Sequence, residues 1–294
     1  MRKRERLTGY LLITPAFLAI FAVLVYPLGR AIDMSFHKII LTQPNLGQPF
    51  IGLENYIQVI KDPIFLNAIE NTFVWLFFNL VFQMLFGTLI ALLLNESFRG
   101  RGLVRGLMLI PWVTPSVVAM LTWRWMYDAE FGIINQFLKS IGVIDKGIAW
   151  LGNVDTAMPA VILESVWKGT PFVMLMILAA LQAVPRELYD VAKVDGANAV
   201  QSFFNVTMPL IMPTFIIAAT LTVIYTFNNF NAIWLMTEGG PLRATETLPI
   251  LVYTLGFRNF DLGRSSAVGV LTLLILLVFV ALFGQRYIRS QVDL

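Results

Sequence analysis

Apolar positions in this chain come in long unbroken runs, with neither the strict alternation of strands nor the heptads of coiled coils. Residues 10–29, 72–95, 210–236 and 265–284 carry no charged side chain. Each is long enough to cross a bilayer as a helix, which takes about 20 apolar residues. Residues 107–126 carry only Arg124, and residues 159–182 only Glu164 and Lys168. The pattern predicts an all-α integral membrane protein with six transmembrane helices. It forms a single membrane domain over residues 10–294, behind a short basic N-terminus at residues 1–9.

The polar stretches between the runs differ in character. In FIGLENYIQVIKDPIFLNAIENT, Ile57, Ile60, Ile64 and Ala68 recur near helical spacing with Pro63 as a break. That predicts a short amphipathic helix along the membrane surface. TEGGP (237–241) reads as a helix stop and a turn. The segment at 185–209 is structured. Pro185 suits a first helical turn and Glu187 adds favourable charge there. Leu188, Val191, Ala192 and Val194 fill one broad face, and Gly196 can take the left-handed conformation that ends helices. A second short helix then runs through Phe203, Phe204 and Val206 to Pro209. An apolar helix pair on the surface marks a partner site.

Composition agrees: 57% of residues are hydrophobic and 13% charged, far from the roughly even balance of soluble domains. The N-terminal run has a basic flank but full span length and no small-x-small cleavage site, which predicts an uncleaved anchor. With an even number of spans, Arg2, Lys3, Arg4, Arg6, Arg99, Arg101, Arg105, Arg186, Lys193, Arg286 and Arg289 share one side. That places both termini in the cytoplasm. The pI of 9.2 follows from these flanks and does not point to nucleic acid. Zero cysteines exclude disulfides and thiolate chemistry. The single histidine, His37, reads as a packing or surface residue. The chain contains no GxxxxGK[ST] loop, so any ATP used must be bound by another chain.

The 185–209 segment resembles a family signature. Permease subunits of bacterial ATP-binding-cassette importers carry EAA, two residues, DGA, eight residues, then I-x-L-P. Here Asp190-Val191-Ala192, Asp195-Gly196-Ala197 and Val206-Thr207-Met208-Pro209 match with both spacings intact. The departures are mild: Asp190 for Glu, Val191 for Ala, Val206 for Ile and Met208 for Leu. FIGLENY, IPWVTPSVV (110–118), ESVWKGTPF (164–172), FNNF (227–230) and TEGGP resemble the carbohydrate-uptake, maltose-type branch across nearly the whole chain. The resemblance implies the type I importer permease fold, with 185–209 as a cytoplasmic coupling helix pair seated in a cleft on an ATPase. Asp190, Ala192, Asp195, Gly196 and Ala197 would form that docking surface, the alanines allowing close approach and the aspartates accepting hydrogen bonds. It also implies a bacterial inner-membrane location and a non-enzymatic transport role. The partners implied are a second homologous permease, two cytoplasmic ATP-binding subunits holding ATP and Mg, an external solute-binding protein, a carbohydrate and membrane lipid.

A sugar path needs hydroxyls, amides and aromatic faces. Thr222, Thr226 and Asn229 fall at i, i+4 and i+7 on one helical face, with Tyr225 beside them. Ser165, Gly169 and Phe172 follow the same spacing in 159–182. At about 1.5 Å per residue, Ser165 matches Asn229 in depth and Gly169 matches Thr226, so the two faces could line one cavity. The same groups also serve for hydrogen bonds between helices. The resemblance assigns sugar contact to Ser165, Lys168, Gly169, Phe172, Tyr225, Thr226 and Asn229. Glu164 and Lys168 stand in the i, i+4 order that favours an ion pair, either snorkelling outward or meeting the substrate. Trp123, Trp125 and Trp167 read as interfacial anchors. The alternative is a stand-alone carrier driven by an ion gradient, which calls for an ionisable group deep in a span. On the run lengths above, no carboxylate lies at mid-depth. A membrane enzyme lacks any metal cluster or nucleophile–base pair.

Overall fold

The structure, a computed structural model, describes residues 2–292, and the backbone alone at 2–9, 46 and 283–292. The chain runs α1 (Arg2–Ile20), a π turn, α2 (Tyr26–Ser35), α3 (Glu54–Lys61), α4 (Pro63–Asn95), α5 (Arg101–Val113), α6 (Ser116–Met126) and α7 (Ile133–Ser140). It continues through α8 (Val154–Gln182), α9 (Arg186–Val194), α10 (Ala199–Ser202), a second π turn, α11 (Met208–Phe227), α12 (Phe230–Thr237), α13 (Leu248–Tyr253) and α14 (Leu262–Val292). Among the described residues there is no regular strand, only the isolated bridges His37–Phe50 and Ile40–Asp261. The side chains of Arg2, Lys3, Arg4, Arg6, Arg286 and Arg289 lie outside the description. Two compact units form: Met1–Leu66 with Leu251–Leu274, and Asn67–Ile250 with Ile275–Leu294.

In the first unit, α1 and α2 join through Phe21–Val25 into one apolar rod, Tyr10–Ser35. The span is longer than the sequence predicts because Pro27 falls in the first turn of α2, where its missing N–H costs nothing. Asn55 ties the loop after it, its amide donating to the carbonyls of Ser35 (2.8 Å) and His37 (2.9 Å). His37 packs edge-on to Phe50, as expected of a packing residue. The amphipathic helix exists but ends at Lys61. Asp62 caps the start of α4, accepting from the Ile64 N–H at 2.9 Å, and Pro63 is the first residue of that helix. Ile64 and Ala68 therefore belong to the next span, which covers 63–95 rather than 72–95.

The second unit is built on α4, α8 and α11. Met84, Leu94, Met174, Ile177, Ile211 and Ala218 fill one core, and Trp75, Met120, Tyr127, Val161, Ile233 and Met236 fill another. Among the described residues five helices are long and apolar enough to span, and the run at 107–126 supplies a sixth only as a bent pair. There α5 and α6 meet at 93°. Thr114 is extended and Pro115 stands at the N-cap of α6, because a residue before proline is driven out of the helical region. The run at 210–236 is likewise interrupted. It begins earlier, as α10, the π turn and α11 are continuous over Ala199–Phe227, and it stops at Asn228 before α12.

Candidate substrate path and docking segment

The seam between α8 and α11 carries the residues expected to meet a sugar. Phe172 and Tyr225 come together there, their rings 5.9 Å apart and edge to face, with Tyr225 65% exposed. Ser165 and Thr226 are buried behind them. Asn229 is not on the face of Thr222 and Thr226. Its side chain caps α12, accepting from the Ala232 N–H at 3.2 Å, because the helix carrying the two threonines has already ended. Asn228, which ends α11, donates to the Ile224 carbonyl at 2.9 Å.

The space facing Ser165 and Gly169 is filled by α4. Trp75, Asn79 and Gln83 form a row at i, i+4 and i+8 that the apolar reading of this run missed. Asn79 donates to the Trp75 carbonyl (2.9 Å), and Gln83 donates to Asn79 Oδ1 (3.0 Å) and to the Ser165 carbonyl (3.4 Å). A Cβ on Gly169 would collide with Gln83 Oε1, so the glycine is what lets the amide lie across α8. The Trp75 indole donates to the Thr226 carbonyl at 2.9 Å, near the end of α11 where helix carbonyls lose their partners. A buried amide pair in an otherwise apolar span was the available signal.

The charged residues differ from expectation. Among the described residues no ion pair joins Glu164 to Lys168. Lys168 Nζ donates instead to the carbonyls of Thr114 (2.7 Å) and Pro111 (3.3 Å) at the α5–α6 break. Pro115 has no N–H to give to Pro111, four residues back, so that carbonyl is free to accept the ammonium. Glu164 is 0% exposed, and both its carboxyl oxygens lack a hydrogen-bond partner. It sits well inside the 29 residues of α8 and is buried rather than snorkelling outward, so this long apolar helix does carry a buried carboxyl. Arg124 donates to the Leu235 carbonyl at 3.3 Å. Trp123 packs on Trp167 at 5.6 Å, and of the three only Trp125 is exposed as an anchor would be. Tyr127, just beyond α6, donates to the Ala160 carbonyl at 3.0 Å. Burial, helped by Glu164, holds its phenol above the ordinary range.

At the other end of α8, Pro185 is the N-cap of α9 rather than part of its first turn. The helix ends at Gly196, whose φ is +78°, and Asn198 with Gln201 forms a capping box at the start of α10. The second helix does not stop at Pro209 but runs on into α11. Tyr189 hydrogen-bonds Thr207 at 3.1 Å, turning one face of α9 onto the chain, and Ala192 is buried on that face. Leu188, Val191, Val194 and Val200 are exposed, as are Asp190 and Asp195, while Ala197 is half-buried. Asp190 lies 3.7 Å from Lys193 across an exposed turn.

The chain matches the model of the binding-protein-dependent transport system inner membrane component over residues 83–293. It is 34% identical to the trehalose/maltose transport system permease protein MalF of Thermococcus litoralis, over 96% of this chain and 94% of that one. It is also 34% identical to the sulfoquinovosyl glycerol transport system permease protein SmoG of Agrobacterium fabrum, over 98% and 92%. A crystal structure of a bacterial ABC transporter that imports alginate superposes with a TM-score of 0.83 at 23% identity, covering 98% of this chain and 96% of that one. The likeness shows the type I importer permease fold. With its DGA turn, its six apolar runs and these matches, the chain belongs to the family of binding-protein-dependent transport system inner membrane components, and is a transport subunit.

Proposed function

We propose that this chain forms, with a second homologous permease, the membrane path of an ATP-driven importer of a sugar or sugar derivative. An external solute-binding protein delivers the substrate, and two cytoplasmic subunits hold ATP and Mg. The observation that carries the reading is the α9–Gly196–α10 elbow. Its inner face is fixed by Tyr189 and Thr207, and its outer face leaves Leu188, Val191, Val194 and Asp195 exposed. A short stiff element packed on one side and free on the other suits the transfer of force from a soluble motor. Asp190, Asp195 and Gly196 form its docking face, with Ala197 at the edge. Ala192 acts from beneath, where its small side chain lets α9 lie close to the chain.

Sugar as the cargo rests on the two permease relatives named for sugar transport systems, and the Phe172–Tyr225 pair supports it as an aromatic surface for a sugar ring. Ser165, Gly169 and Thr226 on the same two helices, with Asn229 just past the end of α11, are the further candidates for contact with the sugar. Lys168, a further candidate for sugar contact, extends from α8 to the α5–α6 break, where its ammonium sits on the Pro111 and Thr114 carbonyls. Both termini face the cytoplasm, on the same side as α9. The test is a screen of sugars against the cognate binding protein, followed by ATPase assays of the reconstituted complex. Hydrolysis should rise only with a loaded binding protein. Hydrolysis indifferent to every sugar, but stimulated by a binding protein loaded with another class of solute, would replace the cargo assigned here.

A further inference from the structure

Glu164 and Lys168 lie one turn apart on α8, yet the carboxyl has no partner and the ammonium is engaged elsewhere. A buried carboxyl without a hydrogen bond is costly in either protonation state. The Tyr127 hydroxyl, whose phenol feels the Glu164 charge, is committed to the Ala160 carbonyl. Lys168 holds two carbonyls at this break: that of Pro111 is free because Pro115 has no N–H, and that of Thr114 because Thr114 is extended between α5 and α6. Were the break to change its angle, those carbonyls would move and the ammonium would need another acceptor. One helical turn is about 5.4 Å, within reach of lysine's four-carbon stem.

We propose that Lys168 is a positioning residue for the bent α5–α6 pair, seated on the Pro111 and Thr114 carbonyls in this conformation and on the Glu164 carboxyl when the bend changes. The positive charge at the carbonyl end of α5 holds the bend against the helix dipole, and Glu164 lowers the cost of releasing it. The inference rests on the transport reading but not on which substrate is carried.

The test uses the assembled transporter in proteoliposomes, where uptake by the unmodified complex first establishes that transport occurs. Glu164→Leu and Glu164→Gln should lower the maximal uptake rate about tenfold, the factor one charge-assisted hydrogen bond supports. The half-saturating concentration of loaded binding protein should not change, assembly should be retained, and the melting temperature should not fall, since Glu164→Leu removes an unpaired buried carboxyl. Lys168→Arg, which can still reach both seats, should keep most of the rate that Lys168→Met loses. Spin labels on Val117→Cys and Leu163→Cys, in a chain that has no cysteine of its own, should report a second distance on ATP trapping. In the Glu164→Leu background that distance should be missing. Unchanged uptake in both Glu164 variants, a full ATP-driven distance change without the carboxyl, or an Arg no better than Met would each overturn the proposal. So would failure of both Glu164 variants to assemble, since a side chain without partners here has no structural part to lose.

Discussion

Gly169 and Gln83 set the geometry of the seam at the level of single atoms. A methyl at 169 would collide with an amide that is itself anchored to Asn79 and Ser165, and such overpacking costs about 1–3 kcal/mol. Gly169→Ala should therefore lower the melting temperature of the purified complex, and Gln83→Ala in the same chain should restore it. Additive losses in the double variant would mean that the two side chains do not meet. Asn229 needs a subtler substitution, because deleting its side chain changes two things at once. Asn229→Ala removes the cap of α12, worth about 1 kcal/mol, as well as any bond to substrate. Asn229→Ser keeps a capping oxygen but loses the amide donor. If the amide binds sugar, the serine variant melts like the parent while its half-saturating sugar concentration rises; unaltered transport kinetics would take Asn229 out of the site. Periodicity put Phe172 and Tyr225 on two helices that face each other, but it matched Ser165 with Asn229 and Gly169 with Thr226 in depth and did not pair the two rings that meet. It could not reveal that α11 ends before Asn229, because an Asn pair inside an apolar run reads the same whether the helix bends, breaks or continues.

Elements obey the same distinction between what hydrophobicity encodes and what backbone chemistry imposes. Run length located every long helix, but helix ends were set by residues whose polarity carries little weight in such a reading. Asp62 with Pro63 moved one start outward, and Pro115 split another run at 93°. Although the capping box of Asn198 and Gln201 went unread, the candidate docking segment was more legible because Gly196, which takes φ +78°, is a local signal. Its faces were not, since the burial of Ala192 depends on the Tyr189–Thr207 bond across the turn. That division makes a prediction. Val194 is 88% exposed, so Val194→Asp should insert and fold normally yet fail to co-purify with the ATPase subunits. Asp195→Arg should do the same, whereas Ala192→Asp should lower the yield of folded subunit itself. Gly196→Ala forces a left-handed residue at a cost of about 1–2 kcal/mol, and should weaken ATPase association less than Gly196→Pro. Full association and uptake with Val194→Asp and Asp195→Arg together would move the docking surface elsewhere.

Over the whole molecule, the helices differ in how far the chain itself covers them. Most of Val154–Gln182 is buried, while the most apolar 18-residue stretch of Tyr10–Ser35 has no buried residue. The candidate sugar groups come from α8, α11 and the N-cap of α12, with α4 closing the seam behind them. Such an arrangement offers one wall of a path, and a sugar must be enclosed on the opposite side as well. A secondary carrier would have to complete that enclosure and couple to an ion gradient within one chain. The buried Glu164 is the carboxyl that invites that reading, so the alternative has a direct test. Reconstituted alone in liposomes under a proton or sodium gradient, the chain should accumulate none of the sugars that its binding protein retains. Adding the second permease, the ATPase subunits, the binding protein and ATP should start accumulation, and withholding any one should stop it. Gradient-driven accumulation by the single chain, abolished by Glu164→Gln, would instead make this subunit a carrier in its own right.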